Sequence, residues 1–179
     1  MDADEVKRLR TTSHAKMLAE REPWPARAAA GDTAAAVALG KYFYRHQQRA
    51  AAERWYAQAV AAGDPEACYD LGVLRREAGR IAEAEDLFTT AAEAGHPGAM
   101  NALGAMAVQR GDRAAALKWT GRAARGGNLT AMRNYGVLLL SEGQQDEARK
   151  WFAAAVRASG PSVQQQISDQ VQQSGLTLP

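Results

Sequence analysis

The sequence predicts an all-α solenoid of stacked antiparallel helical hairpins, and three observations carry that reading. The first is self-similarity at a spacing of 32 residues: Leu39-Gly40 recurs as Leu71-Gly72, as Leu103-Gly104 and, with one change, as Tyr135-Gly136. The second is glycine punctuation, with Gly31, Gly63, Gly95 and Gly127 opening successive units and Gly79, Gly111 and Gly143 interrupting them midway. The third is that β-branched residues are few and never alternate with polar ones, so no strand is expected. Repeats of this length are supersecondary units that cannot bury their apolar faces alone and therefore stack.

Residues 1–30 fit the repeat poorly and are read as an N-terminal helical cap. Segments 4–10 and 13–22 are helix-compatible, with Ser13 as an N-cap, and Pro23-Trp24-Pro25 then stops regular helix. Residues 24–30 align with the end of a repeat, so Trp24 is expected to pack on the first complete unit. Residues 31–160 form four repeats. Each begins at a capping slot held by Asp32-Thr33, Asp64-Pro65, His96-Pro97 or Asn128-Leu129. A polar N-cap accepts orphan backbone N–H groups, and proline at the first helical position loses only a donor that lacks a partner anyway. The first helix of each unit ends before Gly79, Gly111 or Gly143; the first unit has Gln47 there, which leaves its turn less defined. Second helices are expected over 49–62, 81–94, 113–126 and 145–158. Residues 161–179 form a C-terminal capping helix and tail, with Val163, Ile167 and Val171 as an apolar stripe over the fourth unit and glutamines facing water.

The recurring residues are small or aromatic. Ala35, Ala52 and Ala59, with their equivalents, let helix backbones approach. Trp55, Trp119 and Trp151, with Tyr56, Phe88 and Phe152, are expected to fill the space between a second helix and the next unit. On that reading Trp119→Ala costs about 3–5 kcal/mol, as truncation of a core aromatic does.

Composition narrows the function classes. Charged residues are 23% of the chain and the net charge is +2, so the bulk balance does not call for nucleic acid or an acidic membrane. A lone Cys68 permits no intramolecular disulfide, which favours a reducing compartment, and its apolar equivalents Ala36, Met100 and Met132 place it in the core. The N-terminus mixes acidic and basic residues with no apolar run behind them, and no stretch approaches the roughly 18 apolar residues of a membrane span. A soluble, cytoplasmic protein is expected. His14, His46 and His96 are dispersed, no His-x-x-x-His or paired cysteines occur, and no Gly-x-x-x-x-Gly-Lys-Ser/Thr is present. Neither an enzyme, a metal, a cofactor nor a small-molecule substrate is therefore expected.

Taken together, Ala-x-x-x-Leu-Gly, a glycine turn and Ala-x-x-Trp-Phe-x-x-Ala resemble the tetratricopeptide repeat superfamily. PGAMNALGAMAVQRGDRAAALKWTGRAARGG and TAMRNYGVLLLSEGQQDEARKWFAAAVRASG are closest to its Sel-like branch, though the units are shorter and lack that branch's glycine-containing loop between helices. The resemblance implies a TPR/Sel-like superhelix whose first helices line a concave groove, used as a non-catalytic adaptor or scaffold for a peptide or protein surface. The groove positions it implies include Lys41, Tyr44 and Arg45 in the first unit, Tyr69 and Arg76 in the second, Asn101 in the third and Arg133 in the fourth, with Val37, Val108 and Val137 among their neighbours. Several cationic donors and amphipathic tyrosines suit an acidic or carboxylate-bearing partner. The alternative for the same residues is a solvated face on which Glu66 and Glu77 neutralise part of the charge. Two further readings stand beside these: single-stranded RNA binding through scattered arginines such as Arg49, Arg54, Arg113, Arg122 and Arg125, against which acidic residues interrupt the basic clusters, and self-association as a homodimer through an uncovered array end.

Overall fold

The computed structural model describes residues 24–173, so the helices expected over 4–10 and 13–22, together with His14, lie outside the described residues. The described chain is helical throughout, with no strand among the described residues. It divides into two compact units whose boundary falls within one helix, between Leu87 and Phe88.

The first unit contains α1 (Trp24–Ala29), α2 (Thr33–Arg45), α3 (Arg49–Ala61), α4 (Pro65–Glu77) and the opening half of α5 (Ile81–Glu93). Asp32 and Asp64 start α2 and α4 by accepting the backbone N–H of Ala35 and Ala67 at 3.0 and 2.9 Å. These are the capping bonds that the sequence called for. Gln47 takes the left-handed conformation at φ 59°, where Gly79 has φ 75°, so the first hairpin makes the same turn without glycine. The core joins Leu39, Phe43, Trp55, Tyr56, Leu71 and Leu74 to buried alanines, and Trp24 packs on its edge. Val37, expected on the groove face, is buried in this core.

The second unit contains the rest of α5, then α6 (Pro97–Gln109), α7 (Arg113–Arg125), α8 (Leu129–Ser141), α9 (Gln145–Ala158) and α10 (Pro161–Gln173). His96 caps α6 through Nδ1, which accepts from the Ala99 N–H at 3.1 Å, and Asn128 caps α8 in the same way at 2.8 Å. Helix α10 packs on α9 with Ile167 and Val171 buried, whereas Val163, expected on the same stripe, is 38% exposed. Gln164 does not face water as expected; it donates to the Val156 and Ser159 carbonyls at the end of α9.

The repeated Leu-Gly pair has a specific packing role. A Cβ built on Gly40 falls 2.4 Å from Tyr56 Cε1, and one on Gly136 falls 2.9 Å from Phe152 Cζ. The ring of a second helix thus lies directly on the backbone of the first helix in its own hairpin. In the third repeat Thr120 fills the slot, with Oγ1 2.3 Å from the corresponding position on Gly104.

That slot corrects the aromatic expectation. Tyr56, Phe88, Thr120 and Phe152 are all buried, and the tryptophan one residue earlier is buried only at Trp55. Trp119 and Trp151 are half-buried. Successive residues on a helix lie about 100° apart, so a residue beside the core slot is carried to the rim of the interface.

Candidate functional site

The groove candidates fall in both units, and each set is described within its own. In the first unit, α2 carries Lys41, Tyr44 and Arg45, and α4 carries Tyr69 and Arg76. Helix α4 also brings Glu66 and Asp70, one turn apart, to the side of Lys41, whose Nζ donates to Glu66 Oε1 at 2.5 Å and lies 3.7 Å from Asp70 Oδ2. Burial works against the Lys41 ammonium, but the Glu66 hydrogen bond and the charges of Asp70 and Glu66 outweigh it and raise its pKa. The Tyr44 hydroxyl donates to Glu77 Oε1 at 2.6 Å, and Arg49 at the start of α3 donates to the other oxygen of Glu77. That hydrogen bond, reinforced by burial, raises the Tyr44 pKa.

These contacts distinguish the candidates from one another. Lys41 and Tyr44 already hold carboxylates of their own chain. Tyr69 is half-buried and Arg76 exposed, while Arg45 is exposed and makes no hydrogen bond or ion pair among the described residues. Beneath them Tyr56 is buried beside Asp70, and burial followed by the Asp70 charge drives its pKa well above the ordinary tyrosine value.

A cleft of about 350 Å³ opens nearby, lined by Arg49, Glu53, Leu74, Arg75, Glu77 and Arg80. Its charges neutralise one another: Arg75 pairs with Glu53 at 2.6 Å and with Glu83 at 3.4 Å, and Arg80 pairs with Glu83 at 2.6 Å. No group of three or more metal-ligating side chains gathers anywhere among the described residues.

In the second unit the first-helix face has a different character. Asn134 Nδ2 lies 3.4 Å from Asn101 Oδ1, joining α8 to α6. Arg133 is half-buried and has no hydrogen bond or ion pair among the described residues. Val108 and Val137, expected as groove positions on the same two helices, are 53% and 41% exposed. This face is polar, neutral over much of its area and partly apolar, in contrast to the carboxylate-paired face of the first unit.

The remaining candidates resolve into structural roles. His96 is a helix cap, and His46 lies against Tyr42 with ring centroids 4.4 Å apart. Cys68 is buried, and burial raises its pKa. No helix among the described residues is long and apolar enough to cross a membrane. The residues missed in the sequence were Asp70, Asn134 and Arg49 as direct partners of the candidates; the Glu66/Asp70 spacing of one helical turn is the signal that could have found the first of these.

The geometry defines a class, a helical-repeat protein built from two-helix units in which a glycine on one helix seats a side chain of the other. Comparison with solved structures places the fold more narrowly, among Sel1-like and tetratricopeptide repeats. The chain is similar to c5321, a protective antigen of uropathogenic Escherichia coli strains displaying an SLR fold (TM-score 0.75, 20% identity over 87% of this chain). It spans only 37% of that chain's length. It is also similar to a Sel1 repeat protein from Oxalobacter formigenes (TM-score 0.67, 23% identity, 98% of this chain and 77% of that one). A third likeness is to YrrB, a TPR protein with an unusual peptide-binding site (TM-score 0.57, 22% identity, 83% of this chain and 75% of that one). No protein-family model matches the sequence, and no curated protein does either. The shared feature is therefore the fold.

Proposed function

We propose that the protein is a non-catalytic adaptor or scaffold that binds a peptide or protein surface on its first-helix faces. The observation that carries this reading is the second unit's face, where Val108 and Val137 stand exposed on the helices that also present Asn101, Asn134 and Arg133. Exposed apolar side chains beside polar groups with spare hydrogen-bonding capacity suit a peptide, whose backbone and side chains need both. The peptide-binding site named for YrrB supports the same class of ligand. Arg133 supplies a cation for a carboxylate-bearing partner. In the first unit Arg45 offers a further cation on its own first-helix face, while Lys41 and Tyr44 are committed to Glu66 and Glu77 and contribute shape and rigidity.

The test is affinity purification from native lysate with wild-type protein and with Arg76→Glu/Arg133→Glu, after circular dichroism has shown equal helicity. A partner retained by wild type and lost by the variant supports the reading. Retention of every partner by the variant overturns it.

A further inference from the structure

Helix α7 differs from every other second helix. Its sequence, RAAALKWTGRAAR, holds four basic residues and no acidic one, whereas α3, α5 and α9 each carry at least one carboxylate. Arg113, at its start, is paired with Glu142. The other three, Lys118, Arg122 and Arg125, stand at positions i, i+4 and i+7 and so form one stripe about 10 Å long. Lys118 and Arg125 are exposed and Arg122 is half-buried, and none of the three makes a hydrogen bond or ion pair among the described residues. The contrast with α9 is direct: there Arg149 and Lys150 are paired with Asp146 and Glu147 one turn back.

Trp119 organises the stripe. Lys118 Nζ and Arg122 Cζ lie over its ring, 5.0 and 4.9 Å from the centroid. An aromatic face holds a cation without neutralising it and leaves the N–H edge of a guanidinium free for a bidentate acceptor. The tryptophan thus fixes two charges in place and reduces the side-chain entropy lost when they engage an anion.

We propose that this stripe is a docking surface for an acidic polypeptide segment, separate from the first-helix faces. Charge complementarity selects an anion, and the state of Trp119 selects carboxylates over nucleic acid. Single-strand binding relies on bases stacking on open aromatic rings along a continuous basic groove. Here two cations already occupy the ring and the stripe is only two helical turns long. Glutamate and aspartate side chains on a flexible segment need no stacking platform and suit the forked guanidinium geometry.

The test uses the full chain, with a fluorescein-labelled peptide of alternating glutamate and serine as probe at low ionic strength, where exposed charges act most strongly. Arg122→Gln/Arg125→Gln should weaken binding about tenfold, the loss expected for two exposed charge pairs. Arg149→Gln/Lys150→Gln, which removes the same charge from α9, should leave affinity within about twofold. Equal losses in the α7 and α9 variants would show that net charge alone is sensed and would overturn the proposal. So would the absence of measurable peptide binding, or tighter binding of an oligo-dT of matched charge.

Discussion

Replacing Gly40 by alanine sets two magnitudes against each other. On helix propensity alone the change stabilises, because glycine inside a helix costs about 1 kcal/mol relative to alanine. Packing opposes it. The new methyl would lie 2.4 and 2.5 Å from Tyr56 Cε1 and Cδ1 and 2.9 Å from Cζ. The ring cannot turn away freely, since Tyr56 is only 2% exposed and is packed within the core of the first unit. Overpacking of a filled core costs about 1–3 kcal/mol and occasionally more, and here three ring atoms are struck at once, so the upper part of that range applies. The net expectation is a destabilisation of about 1–2 kcal/mol, read as a lower urea midpoint by circular dichroism. A double-mutant cycle isolates the cause: with the ring removed in Tyr56→Ala, Gly40→Ala should become neutral or stabilising. Gly40→Ala raising the midpoint in the wild-type background would refute the argument, because propensity would then have outweighed contact.

Three further outcomes follow from the same structure. Trp119→Ala should cost about 1–2 kcal/mol, because the ring is half-buried, whereas Phe152→Ala, which empties a buried slot, should cost about 3–5 kcal/mol; paired urea melts compare them. Gln47→Gly should stabilise by about 0.5–1 kcal/mol by relieving a side chain held at φ 59°, also read from the urea midpoint. Tyr56 has a folded pKa above its ordinary value of 10.0, so the folded state holds that proton more tightly. Its contribution is complete below pH 10 and is lost as pH rises beyond it, so melting temperatures should fall through the alkaline range, and less steeply in Tyr56→Phe.

Helix boundaries were legible because they depend on local chemistry. Asp32, Asp64, His96 and Asn128 act as caps where their position predicts, and the glycine turns fall where left-handed backbone is needed. Burial was less legible. Tryptophan recurs visibly at 55, 119 and 151, yet the deep slot is the next position, where tyrosine, phenylalanine, threonine and phenylalanine share little chemistry. What marks that slot is the glycine sixteen residues upstream, since Gly40, Gly104 and Gly136 each face its occupant. The candidate faces were hardest to read, because the sequence shows which residues are charged and not which are already paired. Lys41 and Arg133 look equivalent in the sequence; only the structure shows one held by Glu66 and the other without a carboxylate.

Those pairings themselves follow the repeat. Tyr44 to Glu77 and Asn101 to Asn134 both link residues 33 apart on successive first helices. Arg49 to Glu77 and Arg113 to the Ser141 carbonyl both span 28 residues, from the start of a second helix to the end of the next first helix. A contact that recurs with the period is explained by stacking, because each unit must meet its neighbour through the same geometry. Polar groups that break the period lack that explanation. Arg122 on Trp119 has no basic counterpart, with Gln58, Thr90 and Ala154 at the matching positions, although its neighbour Lys118 recurs as Arg54 and Lys150; Arg133 likewise stands alone where the other repeats have Val37, Tyr69 and Asn101. Stacking would be equally well served with these cations neutral, so the places where the period fails in charge are where a partner of opposite charge should be sought.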